Sequence, residues 1–269
     1  MWEWPIEPPG RKMRTLRWRL GEVYRRRRDN KTTKLVERID LVSSTDATCL
    51  AIFDHDGVLV DSLEFHQQAW LEFGRRTGLN LTPEFIHQTF GMTNRGIFRL
   101  LLGDSMSEAE IANYSALKEE CYRDVARGKI TLMAGVREVL DALSAAGVRL
   151  AIGSSGARAN LELTVHECGL DGRFAAIASL EDITRGKPDP QIFLVAATKA
   201  RVEPSRSVVF EDAPVGIQAA KAAGMYAVGI TTSHPAGALW DAGADEVVDS
   251  LVGYDVQALL ERFQRRAKS

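Results

Sequence analysis

The chain has 269 residues, 45% apolar and 26% charged, which suits a soluble globular enzyme of one large domain or one domain with a smaller insert. A net charge of −2 gives no whole-chain argument for nucleic acid or a membrane surface, and no apolar run approaches the ~18 residues of a membrane helix. Three scattered cysteines, Cys49, Cys121 and Cys168, fit reduced thiols in a cytoplasmic compartment better than a disulfide framework.

Residues 1–47 stand apart, opening "MWEWPIEPPGRKMRTLRWRL" and running through "YRRRRDNKTTK". They are rich in Arg and Trp and lack a helix or strand period, so a flexible basic extension is expected. Arginines interleaved with Trp2, Trp4 and Trp18 leave nucleic acid or anionic lipid as the alternative, but no binding fold surrounds them and no nucleic-acid partner is expected. Glu3, Glu7, Glu22 and Asp29 argue against an organellar targeting segment.

The first strand candidate, "TCLAIF" (48–53), runs into "DHDGVLVDS". Asp54 and Asp56 share a face of an extended chain, where two anions repel. The pair makes sense around a divalent cation, or as a nucleophile beside an acid/base. From Ser62 to about Thr131 the pattern is helical, as in "EFHQQAWLEFGRRTG" and "SALKEECYRDVARG", and this is too long for a connection. It reads as a helical insert. Five further strand candidates follow at 148–155, 174–179, 207–212, 226–231 and 245–249. Helical patterns separate several of them, at 135–147, 159–169, 190–200 and 216–224, with Gly147, Gly169 and Gly224 as stops. Alternation of this kind implies an α/β fold, a Rossmann-like doubly wound parallel sheet. The expected division is a core of 48–62 and 132–269, with a helical cap of 63–131 inserted after the first strand.

Open sheets of this type bind ligands beyond the carboxyl ends of their strands. Asp54 and Asp56 end the first strand, Ser154 and Ser155 the second, and Glu211 and Asp212 the fourth; Lys187 follows the third in "TRGKPDP". Converging carboxylates, a hydroxyl and a lysine have the parts for Mg²⁺ and a phosphoryl group.

The motifs "DHDGVLVDS", "IGSS", "GKPDP" and "FEDAPVGIQAAKAAG", in this order, resemble the haloacid dehalogenase superfamily and its β-phosphoglucomutase-like branch of phosphatases and mutases. The resemblance covers residues 48 to about 250. It implies that Asp54 attacks phosphorus and that Asp56 protonates the leaving oxygen and then activates water. It assigns Mg²⁺ to Asp54, the backbone carbonyl of Asp56, Asp212 and Glu211, a phosphate hydrogen bond to Ser154, and charge neutralisation to Lys187. The second aspartate argues for phosphate-ester chemistry, since the dehalogenases of the superfamily lack it. His55 departs from the usual apolar residue between the aspartates; its side chain is expected to point away from both.

Within the cap, His66, Trp70 and Lys118 match the mutase pattern, His66 near the acid/base and Lys118 toward substrate. The distal phosphate site departs from it. Arg95 in "GMTNRG" falls one residue late, and "SGAR" replaces a Ser-Lys-Asn-like run, leaving Ser155 and Arg158 as candidate substrate contacts. The expected activity is therefore hydrolysis of a small phosphorylated metabolite, a sugar phosphate in the first instance. A phosphosugar mutase is the alternative, and a non-catalytic metal- and phosphometabolite-binding relative a third.

Overall fold

The computed structural model describes residues 49–89 and 92–266. The N-terminal extension to residue 48 lies outside the described residues, as do the expectations placed on it.

Among the described residues six parallel strands form one sheet in the order β3-β2-β1-β4-β5-β6. They are β1 (Leu50–Phe53), β2 (Arg149–Gly153), β3 (Ala176–Ala178), β4 (Ser207–Glu211), β5 (Tyr226–Ile230) and β6 (Glu246–Val248). All six fall inside the segments expected from sequence. The strands β1, β4 and β5 are buried along their whole length, as continuous apolar runs in a covered parallel sheet should be. Side chains alternate between two cores. Phe53, Ile152, Phe210 and Val228 face one; Ile52, Ala151, Val209 and Ala227 face the other. The rings of Phe53 and Phe210 stack at 4.6 Å, locking the two central strands in register where Phe53 pairs with Phe210.

One side of the sheet is covered by α7 (Gln191–Ala200), α8 (Pro214–Ala222) and α9 (Ala236–Asp241). The other packs on α5 (Val136–Ala145), α6 (Arg158–Glu167) and α10 (Val256–Arg266). Both α9 and α10 go beyond the expected helices. The stops at Gly147, Gly169 and Gly224 each lie two residues past a helix end, with φ between 62° and 76°.

Among the described residues no strand occurs between β1 and β2. Instead α1 (Leu63–Thr77), α2 (Pro83–Gln88), α3 (Asn94–Leu102) and α4 (Glu108–Ala126) build the inserted cap. Its interior is aromatic: Trp70, Phe73, Phe98 and Tyr114 pack with ring centroids 5.3 to 5.7 Å apart. Trp70 is thus a cap-core residue, spaced one turn from His66.

The chain order changes direction between β1 and β4, since β2 and β3 lie on one side and β5 and β6 on the other. Ligands bind outside such a switch point. Asp54 leaves β1 there, with its amide bonded to the Phe210 carbonyl at 3.0 Å.

Candidate active site

Beyond Phe53 and Phe210 the two central strands each deliver carboxylates. Asp54, Glu211 and Asp212 are buried, and one oxygen of each lies within 4.8 Å of the others. Three anions in so small a volume need compensation. Lys187 supplies part of it: its Nζ lies 3.1 Å from Asp54 Oδ2 and also bonds Glu211 Oε1, over the face of Phe193. Among the described residues Asp54 Oδ1 is buried without a hydrogen-bond partner. An orphaned carboxylate oxygen costs a few kcal/mol where it stands, roughly 1–3, so the place fits a cation or an electrophilic group.

Burial raises the Glu211 carboxyl well above its ordinary range. The Asp54 and Asp212 charges add to this rise, while Lys187 opposes it. Asp212 is raised likewise, by burial first and then by Asp54, against the pull of the Ser233 hydroxyl. Lys187 stays protonated, because the two anions outweigh the cost of its burial.

Local backbone makes room for these groups. A Cβ on Gly57 would overlap the Asp212 carboxylate, and its φ of 73° is one that side chains rarely adopt. A Cβ on Gly216 would overlap the Glu211 carboxylate, whose Oε2 accepts the Ala213 amide at 2.7 Å. Two glycines of the motifs are therefore vacancies shaped for acids.

Asp56 stands apart from the three. Its Oδ1 takes a hydrogen bond from the Ser62 hydroxyl and one at 2.9 Å from His55 Nδ1, with His66 Nε2 at 3.5 Å. Lys118 fixes the second histidine. Its ammonium has no acceptor, so His66 Nδ1 accepts at 2.8 Å and Nε2–H faces Asp56. Burial would raise the Asp56 carboxyl, but His55 and then His66 hold it well below the usual range. The side chain keeps two-fifths of its surface open to water, which tempers that pull.

His55 corrects the sequence expectation. Its ring points at Asp56, not away from it, because β1 has already ended. The His55 carbonyl accepts from both Leu59 and Val60 in a turn, so strand alternation no longer governs the direction.

The other candidates are placed as follows. Ser154 directly follows β2, is buried, and its Oγ accepts the Gly156 amide at 3.1 Å. Ser155 is exposed beside it. Arg158 turns to Asp182 and to the Ile177 carbonyl at 3.3 Å. Arg95 is half-exposed and makes a two-pronged pair with Glu108 within the cap. Neither arginine joins the groups around Asp54.

Several neighbours escaped the sequence reading. Glu119 accepts from Asn94 Nδ2 at 2.8 Å, Lys118 Nζ at 3.0 Å and Asn160 Nδ2 at 2.6 Å. Asn160 belongs to α6 of the core and also accepts from Arg123 of α4, so it ties the cap to the core. Ser233 and His234, after β5, bond the Asp212 carboxylate and carbonyl. Those two had a signal, since they follow the carboxyl end of a strand beside β4. Asn160, and Thr164 whose Oγ1 lies 2.7 Å from His55 Nε2, had none, as polar residues inside a helix pattern.

The haloacid dehalogenase-like hydrolase profile matches residues 51–230. The chain is 34% identical to validoxylamine A 7′-phosphate phosphatase of Streptomyces hygroscopicus subsp. limoneus over 72% of its own length and 90% of that protein. It is 28% identical to β-phosphoglucomutase of Bacillus subtilis, over 80% and 95% of the two chains. The solved structure of a family IA, variant 3 haloacid dehalogenase hydrolase from Entamoeba histolytica shares the fold. Its TM-score is 0.72 at 24% identity, over 81% of this chain and all of that one. The chain belongs to the haloacid dehalogenase-like hydrolases, as an enzyme of their phosphatase and phosphomutase branch.

Proposed function

We propose that this enzyme is a Mg²⁺-dependent phosphatase acting on a small phosphorylated metabolite, a sugar phosphate or related polyol phosphate, through a phosphorylated Asp54. The observation that carries the reading is the state of Asp54's two oxygens: Oδ2 is neutralised by Lys187, while Oδ1 is buried beside Glu211 and Asp212 with no hydrogen-bond partner among the described residues. A divalent cation held by Asp54, Glu211, Asp212 and the Asp56 carbonyl would neutralise the charge of a phosphoryl group brought there.

The protein's own groups do the rest. An Asp54 oxygen forms a bond to phosphorus as the ester P–O bond breaks; Asp56, ionised in the free protein beside its two histidines, takes up a proton when the phosphate dianion arrives and gives it to the leaving oxygen. Water then attacks phosphorus, Asp56 takes its proton, and the Asp54 carboxylate is released. Ser154 hydrogen-bonds the phosphoryl oxygens, and Lys187 holds Asp54 in line. The residues 63–131 form the cap, closing on the core of 48–62 and 132–269; His66 and Lys118 approach the substrate from it.

Hydrolysis is favoured over mutase chemistry by the arginines. A mutase grips a bisphosphate at both ends, whereas Arg95 and Arg158 are bound to Glu108 and Asp182. The test is phosphate release from a panel of sugar and polyol phosphates with and without Mg²⁺, including β-glucose 1-phosphate with a trace of bisphosphate activator. Cation-dependent phosphate release supports the reading. Conversion to glucose 6-phosphate without net phosphate release would replace it with the mutase.

A further inference from the structure

His55 is buried to 1% exposure and both ring nitrogens are bonded, Nδ1 to Asp56 Oδ1 at 2.9 Å and Nε2 to Thr164 Oγ1 at 2.7 Å. Thr164 is itself fully buried, in the middle of α6. A buried imidazole is costly unless its nitrogens are paired, and here two fixed partners on two elements set the ring's position and rotation. An apolar side chain would fill the same volume and hold nothing.

The consequence lies on Asp56. His55, Ser62 and His66 all converge on Oδ1, and among the described residues nothing hydrogen-bonds Oδ2. The carboxylate is thereby anchored through one oxygen, while the side chain keeps two-fifths of its surface open to water. We propose that His55, anchored by Thr164, is a positioning residue for Asp56, holding its Oδ2 in the place from which it exchanges a proton with the reacting oxygens. The proposal rests on the acid/base role given to Asp56 above.

Removing the anchor should weaken proton donation without abolishing it. Donation matters most when the leaving group is a poor one. The experiment measures kcat/KM of the full chain over aryl phosphates of rising phenol pKa, from 4-nitrophenyl to phenyl phosphate, for wild type, H55L, H55N, T164V and D56N. H55L should lose about tenfold on phenyl phosphate and much less on 4-nitrophenyl phosphate, steepening the leaving-group dependence. H55N, whose amide can stand where Nδ1 stood, should recover most of the loss. T164V should steepen the dependence less than H55L and add nothing in the H55L background.

An equal loss on every substrate marks a structural role and overturns the proposal, as does a wild-type slope in H55L. Should H55L not fold, a wild-type slope in T164V overturns it equally. D56N separates the two levels. If D56N leaves the slope unchanged, the acid/base assignment itself fails; if D56N steepens it and H55L does not, only the role of His55 falls.

Discussion

Lys187 Nζ lies 3.1 Å from Asp54 Oδ2 and also bonds Glu211, so one buried ammonium ties the end of β1 to the end of β4. Replacing it with Met should cut turnover by ~10²-fold or more, as the loss of a preorganised charge at a reacting centre does. It should also destabilise, since breaking a buried pair costs about 3–5 kcal/mol. Part of this is offset because Glu211, already raised by burial, keeps its proton more firmly once the ammonium is gone, and differential scanning calorimetry should show a melting point lower by about 5–10 °C. An unchanged melting point would mean that the pair is not formed.

Glu211 and Asp212 are both raised by burial, so the cation-free folded protein holds protons that the unfolded chain has released. The sign follows from linkage: their contribution is intact below about pH 4 and is lost as pH rises through the raised values. Protein treated with a chelator should therefore melt at progressively lower temperature from about pH 5 to pH 8, with Mg²⁺ restoring most at the alkaline end. Titration calorimetry in buffers of different ionisation enthalpy should register proton release on Mg²⁺ binding. A melting temperature of the chelated protein that rises over this window would contradict the assignment.

Gly216 sits in α8, where alanine would ordinarily stabilise a helix by about 1 kcal/mol. Here the Cβ would meet the Glu211 carboxylate. G216A should instead lower both the melting temperature and the Mg²⁺ affinity, the latter at least ~10-fold, as displacing one carboxylate ligand by about 1.4 kcal/mol implies. Stabilisation with unaltered affinity would show that Glu211 is free to move.

Asn160 on α6 bonds Glu119 and Arg123 on α4. N160A leaves Glu119 with two donors and removes the bridge that Asn160 makes from α6 to α4. The expected result is a several-fold rise in KM with a smaller change in kcat, because ordering the cap over substrate becomes less favourable by about 1 kcal/mol. Steady-state kinetics on any turned-over phosphate ester decides this, and an unaltered KM would count against the tie.

The sequence exposed what was local and periodic. Each strand announced itself as a short apolar run, and the acids appeared at strand ends because a parallel sheet gathers those ends on one edge. Asp54, Lys187, Glu211 and Asp212 were legible for that reason, and the structure brings them together. What stayed hidden depended on approach between distant elements. Thr164 sits 109 residues after His55, and no period in α6 marks it as the ring's partner. The direction of His55 was misread because strand alternation was extended past Phe53, where β1 ends, to a residue two positions on. Arg95 and Arg158 carried charge suited to an anion, but Glu108 and Asp182, nearby on their own surfaces, engage them.

Asp54 is expected to become phosphorylated, with Asp56 then helping water remove the phosphoryl group. The direct measurement is rapid mixing of D56N with 4-nitrophenyl phosphate and Mg²⁺, followed by acid quench and peptide mass spectrometry. That substrate needs little protonation to leave, whereas hydrolysis of the acyl phosphate still lacks its base and should slow by ~10²–10⁴-fold. A burst of one nitrophenol per active site and a phosphoryl mass increment on the peptide at Asp54 are expected. Turnover without a burst, or a phosphoryl group on any other residue, would contradict this chemistry.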